Sequence, residues 1–291
     1  MEHPLASKNN IEETYITTKD FLVSGETFSL VWDKERAFLK TIPQPSGDEL
    51  PKYYNSEEYI SHTDSKKGLF NFLYQSVKGI SLNKKASLIN RLQKQKGTLL
   101  DIGAGTGDFL RKAKDHHWDV QGIEVNEKAR QLAFKKGIDL KTSLNDFKDK
   151  NFQVVTLWHV LEHLAPLEEM IEKIESLVTE GGNLIIAVPN FQSYDANYYK
   201  EYWAAYDVPR HLWHFSQESM QLLFSEKMKL VKTLPMPFDA FYVSLLSEKY
   251  KTGNAFSLKA FWIGLRSHLS AMRTKQYSSL IYVFEKQKEA K

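Results

Sequence analysis

Cysteine is absent from the 291-residue sequence. This absence excludes disulfide bonds, thiolate zinc sites, iron–sulfur clusters and a cysteine nucleophile, and it fits a reducing compartment. The chain also lacks the run of about 18 uninterrupted apolar residues that a membrane-spanning helix needs. Its first ten residues, MEHPLASKNN, lack the apolar stretch of a signal peptide. We therefore expect a cytoplasmic protein.

An excess of charge of one sign is missing too. Lysine and arginine number 39, aspartate and glutamate number 36, and the formal net charge is 39 − 36 = +3. This charge is too small to indicate a nucleic-acid binder. Apolar residues make up 42% and charged residues 26% of the chain, as in ordinary globular proteins.

From residue 97 onward, short apolar segments alternate with amphipathic segments. Those typical of β-strands are TLLDIG (98–103), DVQGIEV (119–125), IDLKTS (138–143), FQVVTLW (152–158), GGNLIIAVPN (181–190), MKLVKTLPM (228–236) and YSSLIYVFEK (277–286). Strands that alternate with helices predict βαβ units and an α/β fold, whose parallel sheet is buried on both faces.

The domain organisation follows from the change in sequence pattern at residue 97, where the alternation of apolar and amphipathic segments begins. Residues 1–65 are polar and aromatic-rich and form an accessory region, which we expect to act as a lid or cap. Residues 66–96 have helical spacing and lead into the main domain. The main domain covers 97–291 and carries an insertion at about 238–276.

A glycine-rich loop follows the first strand of the main domain. In DIGAGTGDF, Gly103, Gly105 and Gly107 permit a sharp turn with backbone amides free to face a ligand. Glu124 ends the second strand, seventeen residues past Gly107. A carboxylate at that position can accept hydrogen bonds from both hydroxyls of a ribose. The spacing therefore predicts a ribose-bearing ligand at the carboxyl ends of the first two strands. The alternative is a tight strand–helix turn without a ligand.

Two acidic residues indicate which ligand this is. Asp108 occupies the position where the dinucleotide fingerprint needs glycine or alanine, and an acid at that helix N-terminus repels a pyrophosphate. Asp101, just before the loop, adds a second negative charge. Two carboxylates suit a ligand with an amine and a cationic centre, as in S-adenosylmethionine. A nucleotide-cofactor oxidoreductase is the alternative that Asp108 argues against.

These motifs resemble those of the class I S-adenosylmethionine-dependent methyltransferases, in a branch similar to quinone-biosynthesis-type O-methyltransferases. The resemblance lies in DIGAGTG, GIEV, FQVVTLWHVLEH and GGNLIIAVPN, and it covers about 95–235 and the last strand. It implies a Rossmann-like, seven-stranded, mostly parallel sheet with helices on both faces and an antiparallel last strand. An N-terminal extension and a helical insertion before the last strand would be added to that core.

The resemblance also implies which residues bind the methyl donor. The methionine end would meet Asp101 and the glycine loop, Glu124 would hold the ribose, and Asn145 or Asp146 would meet the adenine amine. The expected cofactor-binding residues are Asp101, Gly103, Ala104, Gly105, Gly107, Glu124, Val125, Leu144, Trp158 and His159.

Some relatives in this branch begin with a four-cysteine metal ribbon, followed by a YY-x-S-x-x-Y segment. Here YYNSEEYISH (53–62) resembles that segment, but the cysteines are missing. Metal cannot hold residues 1–65, so this region must fold on its aromatic and aliphatic residues or lean on the main domain.

The segment His159–His163 matches the H-x-x-E-H pattern of inverted zinc peptidases. On a helix, His159 and His163 would share one face, with Glu162 as the base. The quinone-type methyltransferases have E-x-x-E-H here, a form that can contact a divalent metal, but His159 replaces the first glutamate. We expect no metal, and we take His159 and His163 as candidate catalytic residues.

A second cluster, DVPRHLWHFS (207–216), follows the fifth strand. His211 is a candidate base, because histidine can accept a hydroxyl proton at neutral pH. Arg210 could pair with a substrate carboxylate or phosphate, and Trp203 and Tyr206 could line a substrate pocket. The alternatives are that these residues shape a loop and a packed lid. Ser216 is expected to cap a helix.

Lys249–Phe284 contains no acidic residue but six Lys and Arg residues. An apolar stripe at helical spacing runs through it, formed by Leu258, Phe261, Trp262, Leu265, Leu269 and Met272. Through residues 257–275 this helix either contacts an anionic membrane or a lipid-like substrate, or packs its stripe against the domain.

Together these features predict an S-adenosylmethionine-dependent methyltransferase. The acceptor would be an oxygen or nitrogen atom, or a carbon atom, of a small-molecule or lipid-linked compound, and transfer would proceed by in-line displacement. The alternatives are a catalytically silent S-adenosylmethionine-binding protein and a nucleotide-cofactor oxidoreductase. We expect no nucleic-acid substrate, because the Asn/Asp-Pro-Pro-Tyr run of N-methyl-adenine enzymes is missing after the fourth strand.

Overall fold

The computed structural model describes residues 13–54, 69–93, 95–254 and 257–288, without the side chains of 69–78. The YYNSEEYISH segment beyond Tyr54 therefore lies outside the described residues, as do residues 66–68 of the expected lead-in. The strands are β1 (Thr14–Lys19), β2 (Thr27–Asp33), β3 (Phe38–Ile42), β4 (Thr98–Ile102), β5 (Asp119–Ile123), β6 (Phe152–Trp158), β7 (Val178–Pro189), β8 (Trp213–His214), β9 (Met228–Pro235) and β10 (Ser279–Lys286). The α-helices are α1 (Leu69–Leu92), α2 (Asp108–Asp115), α3 (Glu127–Lys135), α4 (Leu167–Ser176), α5 (Tyr194–Tyr199), α6 (Gln217–Leu222), α7 (Asp239–Thr252) and α8 (Leu258–Thr274).

The main sheet has the strand order β5-β4-β6-β7-β10-β9. The first four of these strands are parallel, and β10 runs antiparallel to both of its neighbours. Successive residues of a strand point to opposite faces: on β6, Val154 belongs to the core with α1, α2 and α3, and Val155 to the core with α4 and α6. The expected Rossmann-like α/β fold with an antiparallel last strand is confirmed.

Within the described ranges the main sheet has six strands, one fewer than the expected seven. The predicted strand IDLKTS joins β5 through a single bridge between Ile123 and Lys141. Ser143 then ends the extended stretch, because its hydroxyl accepts a hydrogen bond from the amide of Asn145 and begins a 3₁₀ turn. The segment therefore lies beside β5 at the edge of the sheet.

The N-terminal region forms a second, antiparallel sheet in the order β1-β2-β3-β8. Its fourth strand, β8, comes from the segment that contains the second histidine cluster. One face shares a core with the aromatic segment after β7 and with α7 and α8, formed by side chains such as Phe28, Leu30, Phe191 and Trp203. The region thus folds on aromatic and aliphatic residues without cysteine. The division at residues 65 and 96 stays a prediction.

A buried carboxylate joins α5, α8 and β10 around this second core. Asp195 is fully buried and accepts hydrogen bonds from Trp203 Nε1 at 2.7 Å, Ser267 Oγ at 2.6 Å and Ser278 Oγ at 2.7 Å. Hydrogen bonds to a buried charge are strong and specify geometry. They hold α8 in one orientation against the domain.

None of the described helices is both long and apolar enough to cross a bilayer.

Candidate functional site

The glycine loop leaves β4 and enters α2 with left-handed backbone at all three glycines. Gly103 has φ +71°, and a Cβ added there would lie 2.3 Å from Val160 Cγ2, so only glycine fits. At Gly105 a Cβ would meet nothing within 4 Å, so the loop has open space at this point. The amide of Ala104 donates to the carbonyl of Ile123 at 2.8 Å and fixes the loop beside the end of β5.

Glu124 lies at the mouth of this loop, as its spacing predicts. Its Oε2 accepts a hydrogen bond from the amide of Gly105 at 2.8 Å, and its Oε1 accepts one from the amide of Asn126 at 2.8 Å. A carboxylate has about four acceptor positions, so each oxygen keeps one for a ligand. The backbone therefore holds this carboxylate in place before any ligand binds.

The surroundings of Glu124 fit an adenosyl group. Val125 is 80% exposed at the end of β5, which leaves an apolar side chain available to a flat aromatic ring. Leu144 is half-buried at the start of the next 3₁₀ turn. Asp146 caps that turn through the amide of Ser143, and the side chains of Asn145 and Asp146 are both exposed. Among the described residues, the buried indole nitrogen of Trp158 has no hydrogen-bond partner.

Asp101 is almost fully buried at the end of β4. The pKa of this carboxyl is raised to about 7. Burial raises it most, and the charge of Glu124 also raises it. A hydrogen bond from Thr156 Oγ1 at 2.6 Å and the charge of Lys85 lower it. The charge of Lys85 acts on this carboxyl, but among the described residues no cation forms an ion pair with it. A cationic ligand would supply that partner.

Lys85 is a site residue that the motifs did not identify. It comes from α1, and its ammonium lies 4.3 Å from the centre of the Trp158 ring. Burial lowers its pKa, and the charges of Asp101 and Asp239 oppose that effect. Only the fold brings this lysine near Trp158 and Asp101, because α1 precedes the resembling segments.

Asp108 is paired at the start of α2. Its Oδ1 lies 2.6 Å from Lys136 Nζ, and its Oδ2 accepts a hydrogen bond from Thr106 Oγ1. This ion pair reduces the repulsion of a pyrophosphate that the sequence led us to expect. The carboxylate still occupies the place of the small residue in the dinucleotide fingerprint.

His159 follows β6 with φ +59° and lies between two carboxylates. Its Nε2 is 3.4 Å from Asp239 Oδ2, and its Nδ1 is 3.4 Å from Glu162 Oε1. Burial alone would lower the pKa of His159, but these partners outweigh burial and raise it to about 9. At neutral pH the ring is therefore cationic and cannot accept a proton.

The helix that a zinc-peptidase arrangement of the H-x-x-E-H segment would require does not form. Leu161–His163 is a single 3₁₀ turn and His159 lies outside it, so the two histidines do not share a helical face. His159 contacts Asp239, while the His163 ring faces that of His211 at 4.6 Å between centroids. A zinc-peptidase arrangement is excluded for these three residues.

Glu162, His163 and His211 instead form a compact group. One possible donor atom from each lies within 4.8 Å of the other two. The Nδ1 atoms of His163 and His211 lie 2.9 Å from the carbonyls of Arg210 and Ala205, respectively. A carbonyl can only accept, so each Nδ1 carries the proton and each Nε2 keeps its lone pair.

The carboxylate of this group is buried, and the cationic His159 lies 3.4 Å from its Oε1. Glu162 is 1% exposed, and neither of its oxygens accepts a hydrogen bond from a described residue. Burial and the nearby His211 lower the pKa of His163 to about 4, so His163 is neutral at physiological pH. These donor types could hold a metal ion. The expectation that the site uses no metal stays a prediction.

Arg210 faces the interior. Its guanidinium is 1% exposed, with Nη2 at 2.9 Å from Asp20 Oδ1 and 2.7 Å from Asp207 Oδ1, and Nη1 donates to the carbonyl of Tyr53. The ion pair connects the loop after β1 to the second histidine cluster. His214 in that cluster lies 3.0 Å from Thr41 Oγ1 of β3, and burial holds the pKa of His214 well below its usual range.

Trp203 and Tyr206 are each 2% exposed in the core shared with the N-terminal sheet. Their expected contacts with substrate, and that of Arg210, stay predictions, and in the structure all three side chains are engaged by the protein itself. Ser216 caps α6 as expected, with its hydroxyl accepting from the amide of Ser219.

A separate cleft of about 240 Å³ lies beside the N-terminal sheet. Its lining residues are Thr17, Thr18, Lys19, Phe21, Thr27, Glu201 and Tyr202. It contains neither a histidine nor the glycine loop. The glycine loop, Glu124 and the histidine group lie instead at the carboxyl ends of β4, β5 and β6 and on the segment between β7 and β8, and we place the candidate site there.

Comparison with known families gives a match over the central part of the chain. Residues 80–227 match the family model described as a methyltransferase domain. An uncharacterized protein of Methanocaldococcus jannaschii is 30% identical over 109 residues, which cover 36% of this chain and 51% of that protein. An uncharacterized methyltransferase of Anoxybacillus flavithermus is 27% identical over 112 residues, which cover 36% and 53%. The chain thus spans about half the length of these relatives.

Solved structures show a similar fold at low identity. The plantazolicin methyltransferase BpumL in complex with SAH has a TM-score of 0.53 and 16% identity, with 82% of this chain and 94% of that chain covered. Phosphoethanolamine N-methyltransferase 2 of Haemonchus contortus, in complex with S-adenosyl-L-methionine, has a TM-score of 0.52 and 14% identity, with 95% and 68% covered. At this identity the likeness concerns the fold.

Proposed function

This chain belongs to the methyltransferase-domain family, and from that premise we propose that it transfers a methyl group from S-adenosylmethionine to an oxygen or nitrogen atom of a small-molecule or lipid-linked acceptor. One observation carries the proposal. The carboxylate of Glu124 is held by the amides of Gly105 and Asn126 at the mouth of a loop with three left-handed glycines. That is a preformed acceptor for two ribose hydroxyls. The Haemonchus enzyme is solved with S-adenosyl-L-methionine and BpumL with its demethylated product SAH, and both complexes support the same ligand.

The residues around Glu124 fit the rest of this ligand. Val125 and Leu144 would flank the adenine, because one is exposed and apolar and the other half-buried at the adjacent turn. Asp101 would lie at the methionine end, where its buried charge meets a cationic centre. Trp158, at the end of β6, would border the methyl donor there.

S-adenosylmethionine supplies a methyl carbon made electrophilic by a positively charged sulfur. The protein's contribution is to align the acceptor atom with that carbon, to exclude water and to remove a proton from the acceptor. The glycine loop and Glu124 fix the position of the donor, and the histidine group lies on the neighbouring loops after β6 and β7.

His211 is the best candidate for the base. His159 is cationic at neutral pH, and the lowered pKa of His163 makes it a weak proton acceptor. The carbonyl of Ala205 fixes the tautomer of His211 that leaves Nε2 free. Glu162, with both oxygens free of hydrogen bonds from described residues, would stabilise the imidazolium as it forms.

Two measurements test the proposal. Calorimetric titration with S-adenosylmethionine and S-adenosylhomocysteine should show saturable binding at one site per chain. Incubation with a panel of phenolic, amine and lipid-linked acceptors should release S-adenosylhomocysteine and give a product heavier by one methyl group in mass spectrometry. Binding without turnover on any acceptor would favour the silent binding protein, and no binding of either compound would refute the assignment.

Replacing the proposed base should affect turnover and spare donor binding. His211→Gln is expected to lower kcat by about 100-fold to 10,000-fold, since glutamine cannot accept the acceptor's proton. The dissociation constant for S-adenosylmethionine should stay unchanged. His116→Gln, an exposed histidine at the end of α2, is the matched control. A His211→Gln variant with full turnover would show that another group is the base.

The pKa of Asp101 predicts a pH dependence of donor binding. The ionised carboxyl binds the cation, and with a pKa of about 7 only about one-tenth of the molecules carry this charge at pH 6. The affinity for S-adenosylmethionine should therefore rise roughly eightfold from pH 6 to pH 7.5. Asp101→Asn should abolish this rise, while the exposed control Asp119→Asn should retain it. A dissociation constant that does not change with pH in the unmodified protein would contradict the role of Asp101.

A further inference from the structure

Helix α8 buries mostly small side chains and exposes its larger apolar ones. Its inner face carries Ala260, Ile263, Gly264, Ser267 and Ala271, which are buried. Its larger apolar side chains point outward: Leu258 is 71% and Trp262 61% exposed, and Phe261, Leu269 and Met272 are more than half exposed. Contiguous large apolar side chains on a protein surface mark a binding surface. We call these five residues the outer surface of α8.

The outward orientation of these side chains is fixed by the packing of the inner face. A Cβ at Gly264 would lie 2.9 Å from Phe241 Cα, so α7 and α8 approach too closely for a larger residue. Ser267 donates its hydrogen bond to the buried Asp195. Rotation of α8 to bury Trp262 would break both contacts. The exposure of the outer surface is therefore part of the fold.

The charged residues of the segment that carries the outer surface are all basic. No acidic residue occurs from Lys249 to Phe284, and Arg266 and Arg273 lie exposed on α8. Neither arginine forms an ion pair with any residue that the structure describes. A second copy of the chain would bring the same cations against them in a two-fold interface. An anionic partner with an apolar interior satisfies both the arginines and the apolar side chains.

We propose that the outer surface of α8 docks on the surface of an anionic lipid bilayer, with Trp262 and its apolar neighbours at the headgroup boundary and Arg266 and Arg273 against the lipid phosphates. Large apolar side chains beside Arg and Lys are the composition of helices that lie in a membrane interface. This docking does not depend on the proposed methyl transfer. It would bring α7, whose Asp239 contacts His159, next to the membrane.

Flotation of the full chain with lipid vesicles tests the proposal. The protein should float with phosphatidylcholine vesicles that contain about one-third phosphatidylglycerol, and much less with phosphatidylcholine alone or at high salt, since salt screens the attraction. The double variant Phe261→Ser/Trp262→Ser should lower the partition coefficient at least about tenfold. Arg266→Gln/Arg273→Gln should lower it by about tenfold on anionic vesicles only.

Phe134→Ser is the matched control, because Phe134 is 70% exposed on α3, away from α8 in the chain. It should float like the unmodified protein, and circular dichroism should show that every variant is folded. Failure of the unmodified protein to float on anionic vesicles would overturn the proposal. So would a concentration-dependent dimer in size-exclusion chromatography that Phe261→Ser/Trp262→Ser converts to monomer, since that result assigns the surface to a second copy.

Discussion

Glu124→Ala should weaken the binding of S-adenosylmethionine by about 100-fold or more. Alanine removes the acceptor for two ribose hydroxyls, and hydrogen bonds to a charged group contribute about 1.5–3 kcal/mol each, so a loss of about 3 kcal/mol corresponds to about 100-fold in affinity. The substitution also releases the amides of Gly105 and Asn126, which the carboxylate now holds. Calorimetric titration of the folded variant measures the effect.

Glu127→Ala is the control for this experiment, since Glu127 lies three residues further on, exposed in the first turn of α3. It should bind the donor as the unmodified protein does. Gly103→Arg gives a second variant at the same site, because any side chain there meets Val160, and it should also lose binding. Unchanged affinity in both Glu124→Ala and Gly103→Arg would show that the ligand binds elsewhere.

Arg210→Met should lower the free energy of unfolding by about 3–5 kcal/mol. Methionine has a similar volume but leaves the carboxylate of Asp20 buried without its cation, and an unpaired buried charge costs about that much. The side chains of Asp20 and Arg210 are 0% and 1% exposed, respectively, so water cannot replace the lost partner. Urea unfolding followed by circular dichroism measures the change.

Two further variants serve as comparisons for Arg210→Met. Arg111→Met removes an exposed ion pair with Asp115 on α2, which should cost about 0.5 kcal/mol or less. Combining Arg210→Met with Asp20→Asn should restore part of the stability, because no unpaired charge remains at Asp20. If Arg210→Met leaves unfolding unchanged and raises only KM for the acceptor, the arginine binds substrate, as its position after the fifth strand first indicated.

The sequence was sufficient for features that depend on neighbours in the chain. The strand FQVVTLW is observed as Phe152–Trp158 with unchanged bounds, because its apolar run has no competing pattern. The turn at Gly103 and the spacing to Glu124 are also local, since a strand, a tight turn and one helix decide them. The cap at Ser216 follows from a side chain and an amide three residues away.

Features that depend on distant contacts could not be read in this way. Lys85 precedes the glycine loop on a helix without a motif, and only the fold places it over Trp158. Asp239 was assigned to an insertion, yet it contacts His159 and helps to keep that ring charged. For a similar reason, the sequence did not decide which side of α8 faces the domain. The apolar stripe was visible in the sequence, but the close approach of α8 to α7 at Gly264 was not.

The pairing of β3 with β8 also affects how the chain reaches its native state. Leu39 lies opposite His214, and the two residues are separated by most of the polypeptide. Contacts between such distant positions form slowly, and during synthesis the N-terminal strands emerge long before their last partner. The edge of β3 therefore stays open until residue 214 has left the ribosome. A nascent chain that stops before that point has already formed its glycine turn, but its histidine side chains have not yet been brought together.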